Sequence, residues 1–526
     1  MPLRGDRIHR YVTAFCPTCH DEAPDRPLAD VTRLTGWLAE RDGQVWLERG
    51  CSTHGLVRTL YDEDPEILCY LEEWTAPTKA HTADVVGNYD PVPSAYLRGL
   101  PEMQTQHTCI LVEDVVETCN LRCPTCFTDS SPDLRNVVSV SDVLASVDQR
   151  LARENGRLDV LMLSGGEPTL HPCLSELITE LTARPITRIL LNSNGLRIAA
   201  DDDLLSLLAR YRERVEVYLQ YDGLSARAHR HHRGGDLSRT KVAALQRLSE
   251  SEIFTTLVMT VATGVNDHEI GDMLRLALAT PYVGGLTIQP QFGSGRSGHI
   301  DPHDRLTHTG VLKRFGPQTG DAVTWRDFTA LPCSHPHCCS IGYLIRDESQ
   351  QWHSLVSLIG TESLKEKLGL VSNRIADAEI PQQLRIAVQE SLLGLLSEQS
   401  SLSHPQIGEV WRTICQSCDL GMSTLLTLAS SALPGRRRQV RRLLGERVVR
   451  ITVKPFMDMS TMIEERLLQC CVHVGTRSAQ DQCAPFCAVQ AWPQLARQRL
   501  SVAAGGALPL FVETSPTVSG RGGAPG

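Results

Sequence analysis

The stretch ETCNLRCPTCF (residues 117–127) places Cys119, Cys123 and Cys126 on one short loop, in a C-x3-C-x2-C arrangement. Iron–sulfur clusters are held by cysteine thiolates, normally four of them. Three closely spaced thiolates can hold a cubane and leave one iron free for another ligand. A zinc knuckle is the alternative, but zinc sites usually take their ligands as two pairs separated by a wide gap. We therefore predict an iron–sulfur cluster on this loop.

The chain around this loop alternates between short apolar runs and amphipathic runs. Residues 174–181 show the helical pattern, with apolar side chains at i, i+3, i+4 and i+7. Strands that alternate with helices predict parallel βα units over residues 107–300. The fold class is α/β, and a partial (βα)6 barrel fits the number of runs, with a doubly wound sheet as the alternative. The six apolar, β-rich runs are 109–116, 158–163, 186–191, 215–220, 254–261 and 283–290.

Unusual polar and glycine-rich motifs follow five of these six runs. The cysteine loop follows the first run, and in barrels of βα units the chemistry lies at the carboxyl ends of the strands. Loops that gather such residues at one end of one sheet indicate a functional site there. The other motifs are SGGEP (164–168), NSNG (192–195), QYDG (220–223) and QFGSGR (291–296).

The order of these motifs is similar to the signature of the radical S-adenosylmethionine (SAM) superfamily. The C-x3-C-x2-C loop resembles its cluster motif, and Gly165-Gly166-Glu167-Pro168 resembles its GGE motif, over about residues 107–300. The resemblance implies a [4Fe–4S] cluster whose open iron chelates the amino and carboxylate groups of SAM. One electron then cleaves SAM to methionine and a 5′-deoxyadenosyl radical, which removes a hydrogen from the substrate. An electron donor such as ferredoxin or flavodoxin is the expected partner.

Several residues on these loops are candidate contacts to SAM. Gly165 and Gly166 lack a side chain and let the backbone approach a ligand closely. Glu167 is expected to accept a hydrogen bond from the SAM ammonium group, beside Pro168. Weaker candidates for contacts to the ribose and carboxylate, with loop capping or a solvated surface as the alternative, are Asn194, Gln220, Asp222 and Arg296.

Residues 1–75 contain a second metal motif, Cys16-x2-Cys19 followed by Cys51-x2-His54. Two ligand pairs about 30 residues apart are typical of a four-ligand knuckle. A closed four-ligand site has no open position, so we predict a structural metal, either zinc or a rubredoxin-like single iron. Cys69 is the alternative to His54 as the fourth ligand.

Residues 301–500 hold nine of the chain's 18 cysteines. Grouped cysteines in a cytosolic chain indicate metal before disulfide. Nine are enough for two auxiliary cubanes, and a zinc site with buried thiols is the alternative. The isolated Cys69, Cys109 and Cys173 are interpreted as small buried side chains. The candidate ligands of this region are Cys333, Cys338, Cys415, Cys418, Cys470, Cys471 and Cys487, with Cys339 and Cys483 completing the nine.

A wider set of motifs narrows the resemblance, over about residues 11–490. The set is similar to a radical SAM group that includes archaeal tetraether lipid synthase, whose relatives have also been described as pterin-linked methyltransferases. It implies a rubredoxin-like iron, auxiliary clusters, and coupling of lipid alkyl chains at an unactivated C–H position. C-methylation of a pterin-like or other small substrate is the alternative, and a non-catalytic electron carrier is a second one. The motifs are CPTC…CSTHG, ETCNLRCPTCF, LSGGEPTLHP, YLQYDG, PCSHPHCC, VKPFMD and CCVH…PFC.

Composition limits the remaining possibilities. Of 526 residues, 41% are apolar and 21% charged, and the net charge of −9 argues against a nucleic-acid-binding protein. The amino terminus has no signal-peptide pattern and no run of about 20 apolar residues occurs, so we expect a cytoplasmic protein. Residues 76–106 are expected to form a linker and residues 501–526 a disordered tail.

One segment bears on membrane association. An apolar stretch (420–435) runs into an arginine-rich one (436–450) whose Val440, Leu443, Leu444 and Val448 share a helical face. An apolar face with a basic flank is typical of an interfacial helix, which would place the protein peripherally at the inner face of the membrane. An ordinary surface helix with solvated arginines is the alternative, and both interpretations stay open from sequence.

Overall fold

The computed structural model describes nine ranges of the chain, which form one large and one small β-sheet with helices around them. The predicted linker and tail lie outside the described residues, as do Cys415, Cys418 and Cys483. The described ranges are 7–27, 30–74, 107–154, 156–298, 300–331, 333–347, 349–366, 437–475 and 484–496.

The strands and helices of these ranges are numbered in chain order. The strands are β1 (Arg7–Ala14), β2 (Leu34–Arg41), β3 (Gln44–Cys51), β4 (Gly55–Asp62), β5 (Ile110–Val116), β6 (Leu158–Gly165), β7 (Ile186–Ser193), β8 (Val215–Gln220), β9 (Thr255–Val261), β10 (Val283–Pro290), β11 (Thr329–Ala330), β12 (Ser340–Arg346), β13 (Trp352–Ser354), β14 (Val448–Val453), β15 (Val472–Val474) and β16 (Ala484–Pro485). The helices are α1 (Pro17–Glu22), α2 (Pro65–Glu72), α3 (Val140–Arg153), α4 (Leu174–Thr182), α5 (Asp202–Arg210), α6 (Ala226–Arg233), α7 (Ser238–Glu250), α8 (Ile270–Ala279), α9 (His308–Thr319), α10 (Leu355–Ile359), α11 (Thr361–Glu366), α12 (Arg437–Arg447), α13 (Glu464–Leu468), α14 (Phe486–Ala491) and α15 (Pro493–Ala496).

The six apolar runs form the strands β5 to β10, with bounds within two residues of the predicted ones. Each strand pairs in parallel with the next one along the chain, as Leu111 of β5 does with Leu161 of β6. A doubly wound sheet would reverse its strand order partway, whereas here the order runs consecutively from β5 to β10. The partial (βα)6 barrel predicted from the sequence is therefore confirmed.

The residues after 301 extend this same sheet at both edges. Strand β14 adds in parallel to β10, with Ile451 opposite Leu286, and β15 adds in parallel to β5, with His473 opposite Leu111. Antiparallel strands then continue outward, β12 on β14 and β16 on β15. The cysteine-rich region is thus built into the edges of the barrel, which the sequence patterns did not predict.

Both faces of the parallel strands are covered, which is why they are continuous apolar runs rather than alternating ones. Every residue of β5 is buried, and Leu161, Leu163, Leu191 and Val217 have no exposed surface. These side chains form the main core, which the helices between the strands enclose.

The amino-terminal residues form a separate antiparallel sheet in the order β1-β2-β3-β4. Its last strand contacts the barrel side, where Leu60 N–H donates to the Pro302 carbonyl at 2.6 Å. The Asp62 carboxylate accepts hydrogen bonds from the backbone N–H and the hydroxyl of Thr309 in α9, at 2.8 and 2.6 Å. These contacts fix the small sheet against the barrel.

The arginine-rich segment does not form the single helix expected over 436–450. Helix α12 ends at Arg447, and the following residues, including Arg450, belong to strand β14. Leu444 packs in a small cluster with Phe254 and Tyr282, and the Arg441 guanidinium lies 4.6 Å from the centre of the Phe254 ring. This part of the predicted interfacial face is therefore directed at the barrel. The apolar stretch 420–435 lies outside the described residues, and none of the described helices is long and apolar enough to cross a membrane.

Candidate metal and cofactor site

The three cysteines of the 117–127 loop meet at the carboxyl end of the barrel. Cys119, Cys123 and Cys126 line one cavity of about 80 Å³ together with Gly165, Gly166, Glu167, Asn194 and Gln220. Among the described residues that line this cavity there is no fourth cysteine and no histidine. Three thiolates with one missing protein ligand are the donor set that a cubane with an open iron requires.

The three thiols of this loop differ in how deeply they are buried. Cys119 and Cys123 are buried and Cys126 is half-buried. Burial, followed by the nearby Glu167 carboxylate, raises the pKa of the Cys119 thiol to about 12. Ligand thiols must lose their protons to bind a metal, so cluster assembly at this loop is coupled to proton release.

The cysteine loop is held by Arg296, which the sequence had suggested as a contact to SAM. Its Nε donates to the Cys123 carbonyl at 2.9 Å and its Nη2 to the Ser130 carbonyl at 2.6 Å. A third bond goes from Nη1 to the Asp129 carboxylate at 2.7 Å. Arg296 does not line the cavity, and the structure places it as a clamp on the loop backbone.

Gly165 and Gly166 are required by a close approach of two loops. Gly165 has φ +108°, and a Cβ on it would lie 2.3 Å from the Val116 carbonyl oxygen. A Cβ on Gly166 would lie 2.2 Å from the Thr118 carbonyl oxygen. We expected these glycines to admit a ligand. They do line the cavity, and they also let the end of β6 touch the start of the cysteine loop.

The Glu167 carboxylate is buried and accepts four internal hydrogen bonds. Its donors are the backbone N–H and hydroxyl of Thr169, the Ser193 hydroxyl and the Asn194 N–H, at 2.7 to 3.2 Å. Glu167 therefore ties the loop after β6 to the loop after β7. The buried Pro168 begins the 3-10 turn Pro168–Leu170 beside it. Acceptance of a bond from the SAM ammonium group stays a prediction.

Asn194 and Gln220 both face the cavity. The Asn194 side-chain nitrogen lies 3.9 Å from Cys119 Sγ and donates to the Asn120 side-chain oxygen at 2.7 Å. The Gln220 side-chain nitrogen donates to Asn192 Oδ1 at 2.8 Å. These amides are placed to contact a molecule bound beside the cysteines.

Asp222 does not line the cavity. It is fully buried with φ +69°, and both carboxylate oxygens accept bonds from Arg233, at 2.5 and 2.7 Å. Burial alone would raise its pKa, but the charge and hydrogen bonds of Arg233 hold the pKa of Asp222 well below its usual range. Asp222 is thus a partner of Arg233 rather than a surface that SAM can reach directly.

Sequence reasoning missed two buried cations at this site, Arg233 and Lys241. Arg233 lines the cavity, and Lys241 Nζ donates to the backbone carbonyls of Asn194 and Gln220. Burial lowers the pKa of Lys241 to about 8. A signal was present, because Lys241 stands at the first position of an i, i+3, i+4, i+7 series that continues with Ala244, Leu245 and Leu248.

The amino-terminal motif forms a compact four-ligand site. His54 Nδ1 lies 3.5, 3.3 and 3.6 Å from the sulfurs of Cys16, Cys19 and Cys51, and the Cys19 and Cys51 sulfurs are 3.6 Å apart. These spacings fit a tetrahedral ion with metal–sulfur distances of about 2.3 Å. The other ring nitrogen of His54 meets Glu22 at 3.2 Å, the kind of contact that fixes a ligand's tautomer.

Cys69, the alternative fourth ligand, lies elsewhere. Its sulfur is 3.9 Å from His9 Nδ1, and with Glu72 these residues form a separate group. The four donors at the amino-terminal site are therefore Cys16, Cys19, Cys51 and His54, as the spacing of the motif indicates.

A third group of cysteines includes Cys109, which we had interpreted as an isolated buried side chain. That interpretation was wrong, because Cys109 Sγ lies 3.1 Å from Cys333 Sγ, which lies 3.8 Å from Cys471 Sγ. His107 adds a nitrogen 2.8 Å from Cys109 Sγ. The H-x-C pattern directly before the first strand was the signal in the sequence.

Two further described cysteines of the carboxyl-terminal region, Cys338 and Cys487, lie near Arg466. This buried arginine donates through Nε to Cys338 Sγ at 3.3 Å. Burial, and then the neighbouring Cys487 and Cys338, raises the pKa of the Cys470 thiol, so these three thiols share one electrostatic environment. Cys339 instead points into strand β12, with its sulfur 3.7 Å from the Ser340 carbonyl. Both groups fit the predicted auxiliary clusters.

Comparison with known proteins defines the class. Residues 115–277 match the radical SAM superfamily, and residues 8–63 match the HMPTM N-terminal zinc ribbon domain. The chain thus contains a radical SAM domain and is a SAM-dependent enzyme. The predicted [4Fe–4S] cluster and SAM are thereby confirmed as its cofactors, and the alternative of a non-catalytic carrier is wrong.

Individual relatives extend this comparison. The chain is 24% identical over 514 residues to 7,8-dihydro-6-hydroxymethylpterin dimethyltransferase of Methanocaldococcus jannaschii, a match that covers 91% of this chain and 93% of that protein. It is 27% identical over 164 residues to the antilisterial bacteriocin subtilosin biosynthesis protein AlbA of Bacillus subtilis, covering 31% of this chain and 35% of the relative.

Solved structures that match parts of the chain include a radical SAM methyltransferase from Sphaerobacter thermophilus, at 14% identity and a TM-score of 0.31. That match covers 59% of this chain and 80% of the other. Another is anSMEcpe with bound AdoMet and a Cp18Cys peptide, at 19% identity and a TM-score of 0.31, covering 41% of this chain and 62% of the other.

Proposed function

We propose that this enzyme is a radical SAM C-methyltransferase whose substrate is a reduced pterin or a similar small heteroaromatic molecule. The observation that carries the proposal is the match to the pterin dimethyltransferase over 93% of that protein's length. The match extends beyond the barrel to the amino-terminal knuckle, where residues 8–63 match the HMPTM N-terminal zinc ribbon domain. When bound, the cluster and SAM would supply a 5′-deoxyadenosyl radical at the mouth of the barrel.

The lining of the cavity supports a flat, polar-edged substrate. Gln289 and Gln291 place side-chain amides at its wall, and Thr260 adds a hydroxyl. Phe127 and Phe292 add aromatic surface, with their ring centres 6.1 Å apart. Sites for small ligands typically combine apolar or aromatic walls with a few placed polar groups, as a pterin ring requires.

The chain's own residues would orient these groups. Arg296 fixes the cysteine loop, and Glu167 fixes the loops after β6 and β7 relative to each other. Asn194 and Gln220 then present amides to whatever binds beside the cysteines. Because the chemistry consumes single electrons, we propose a ferredoxin or flavodoxin as the physiological partner.

The test is an anaerobic assay with reconstituted protein, dithionite, SAM and 7,8-dihydro-6-hydroxymethylpterin. The methyl source is traced with methyl-labelled SAM and, in a parallel reaction, with a reduced folate that carries a labelled one-carbon unit. We expect a pterin product heavier by one CH2 for each methyl group, absent in the Cys123→Ala variant.

Formation of 5′-deoxyadenosine without any change in the pterin would contradict the pterin substrate. Mass analysis of lipid extracts from the same reactions tests the alternative reaction, the coupling of lipid alkyl chains. Coupling of two alkyl chains joins their masses with loss of hydrogen, and that product would favour a tetraether-synthase-like reaction instead.

A further inference from the structure

Arg233 is the last residue of α6, and its guanidinium reaches the cysteine loop. Its Nη1 lies 3.9 Å from Cys123 Sγ, and the side chain is only 13% exposed. The same end of the helix touches the loop again, since the Thr125 hydroxyl lies 3.1 Å from the His232 ring and also contacts the His232 carbonyl. A fixed positive charge therefore stands beside one of the three cluster ligands.

Three hydrogen bonds hold the guanidinium in this position. Asp222 accepts two of them in a bidentate pair, and Gln220 Oε1 accepts a third from Nη2 at 3.0 Å. Asp222 is itself fixed, because its carbonyl accepts from Asn266 at 2.7 Å and its side chain accepts from the Thr260 N–H. Asp222 and Gln220, which the sequence suggested as direct contacts to SAM, thus together hold the Arg233 guanidinium in position.

Other charges near the cysteines come from Lys241 and Glu167. Lys241 donates to two backbone carbonyls and keeps its ammonium group buried, while Glu167 accepts four hydrogen bonds from the loops. The Asp222 carboxylate lies behind the guanidinium, since Arg233 is the group that separates it from Cys123. Among these charged groups, the Arg233 guanidinium is therefore the one in contact with a sulfur of the three cysteines.

Reduction adds one electron to a cluster that three thiolates already make negative. The potentials of iron–sulfur clusters depend on net charge, on hydrogen bonds to the sulfurs and on solvent exposure. A cation held next to a ligand sulfur in a buried site stabilises the more negative, reduced state. The equilibrium constant for reduction consequently rises.

We propose that Arg233, aimed by Asp222 and Gln220, is a positioning residue that raises the reduction potential of the cluster on Cys119, Cys123 and Cys126. The inference rests on the radical SAM cluster and is independent of the identity of the substrate. It differs from a role in binding SAM, because the effect is present before SAM binds.

The experiment is a redox titration of full-length, anaerobically reconstituted protein without SAM, monitored by electron paramagnetic resonance. The signal of this cluster is identified as the one that Cys123→Ala removes. A mediator supplies a single electron, and no bond or proton changes. We expect Arg233→Gln to lower the equilibrium constant for reduction at least tenfold, which is 59 mV for a one-electron couple.

Three variants serve as comparisons. Arg230→Gln removes the same charge from an exposed position of the same helix, so the potential should not move. Arg233→Lys keeps the positive charge but loses the planar guanidinium, so the reduction potential should shift less than in Arg233→Gln. Asp222→Asn removes the negative partner, so the potential should shift in the opposite direction.

Equal potentials for the wild type and Arg233→Gln, with equal cluster content, would overturn the proposal. If Arg233→Gln does not retain the cluster, Asp222→Asn decides, and an unchanged or lower potential in that variant would overturn it. Failure of pterin methylation has no bearing on either result, because neither substrate nor SAM is present.

Discussion

Gly166 occupies the tightest point of the site at the scale of single residues. Its N–H donates to the Val116 carbonyl at 2.6 Å, and its Cα faces the Thr118 carbonyl so closely that a methyl group has no room. Both contacts are with backbone, which cannot rotate away as a side chain can. The start of the cysteine loop is therefore positioned by the absence of a side chain.

Gly166→Ala should separate the end of β6 from the cysteine loop. Overpacking of this kind typically costs about 1–3 kcal/mol and sometimes more. We expect a lower midpoint of thermal unfolding and reduced iron bound by the three cysteines, measured by calorimetry and metal analysis. Gly235→Ala is the matched control, because a Cβ there has no neighbour within 4 Å. Equal losses in both variants would argue against the close approach.

Residues in contiguous motifs were predictable from sequence, and residues that meet only through the fold were not. The C-x3-C-x2-C loop and the GGE motif each lie within one short segment, so their spacing alone indicates their chemistry. Cys109, by contrast, contacts Cys333, which lies 224 positions later in the sequence. Arg233 is held beside Cys123 by Asp222, 11 residues away, although in the sequence it is only an arginine at the end of a helix.

At the scale of elements, the stability contributed by the junction between the small sheet and the barrel depends on pH. Asp62 at the end of β4 is fully buried against α9, and burial raises its pKa from 3.8 to about 6, against the hydrogen bonds from Thr309. The folded state therefore binds more protons than the unfolded state between these two values. Stability from this group is lost as the pH rises through 6.

Asp62→Asn should remove this dependence while keeping the acceptor oxygen for Thr309. We expect the free energy of unfolding of the wild type, relative to that of the variant, to fall as the pH rises from 3.8 to about 6, and to level off above that value. The slope is at most about 1.4 kcal/mol per pH unit. Denaturant unfolding at a series of pH values measures it, and a difference that rises with pH would contradict the assigned pKa.

The amino-terminal site is a second element whose role can be separated from catalysis. A closed four-ligand metal couples binding to folding. Cys16→Ser should therefore lose the bound metal and lower the midpoint of unfolding, measured by metal analysis and calorimetry. Cys69→Ser is the control, since this cysteine lies outside the four-ligand group, and its metal content should equal that of the wild type. Loss of metal in Cys69→Ser alone would contradict the assigned ligands.

The bounds of strands and helices were predicted correctly where the apolar residues of a segment follow a single pattern. The six barrel strands were predicted within two residues because each is a long apolar run bounded by polar loops. The prediction of one helix over 436–450 was wrong at its carboxyl end. Apolar residues at helical spacing continue through Val448, but the run VVRITV, rich in β-branched residues, begins at that same residue. β-branched residues favour strands, and the edge of β10 provides the partner.

At the scale of the whole molecule, the large sheet connects the 119–126 cysteine loop with the group around Cys109. Strand β5 has Cys109 before its first residue and the 119–126 loop after its last, so two groups lie at opposite ends of the same strand. Strands β14 and β15 attach the carboxyl-terminal region to opposite edges of the barrel. The organisation therefore depends on long-range pairing that no local pattern in the sequence specifies.

The most direct test of the central claim is the reductive cleavage of SAM by the full-length protein. Wild-type protein with a loaded cluster, reduced with dithionite, should form 5′-deoxyadenosine and methionine in equal amounts. Cys123→Ala should form neither above background while it keeps the metal on Cys16, Cys19, Cys51 and His54. Cleavage by Cys123→Ala at the wild-type rate, or none by fully loaded wild type, would contradict the account.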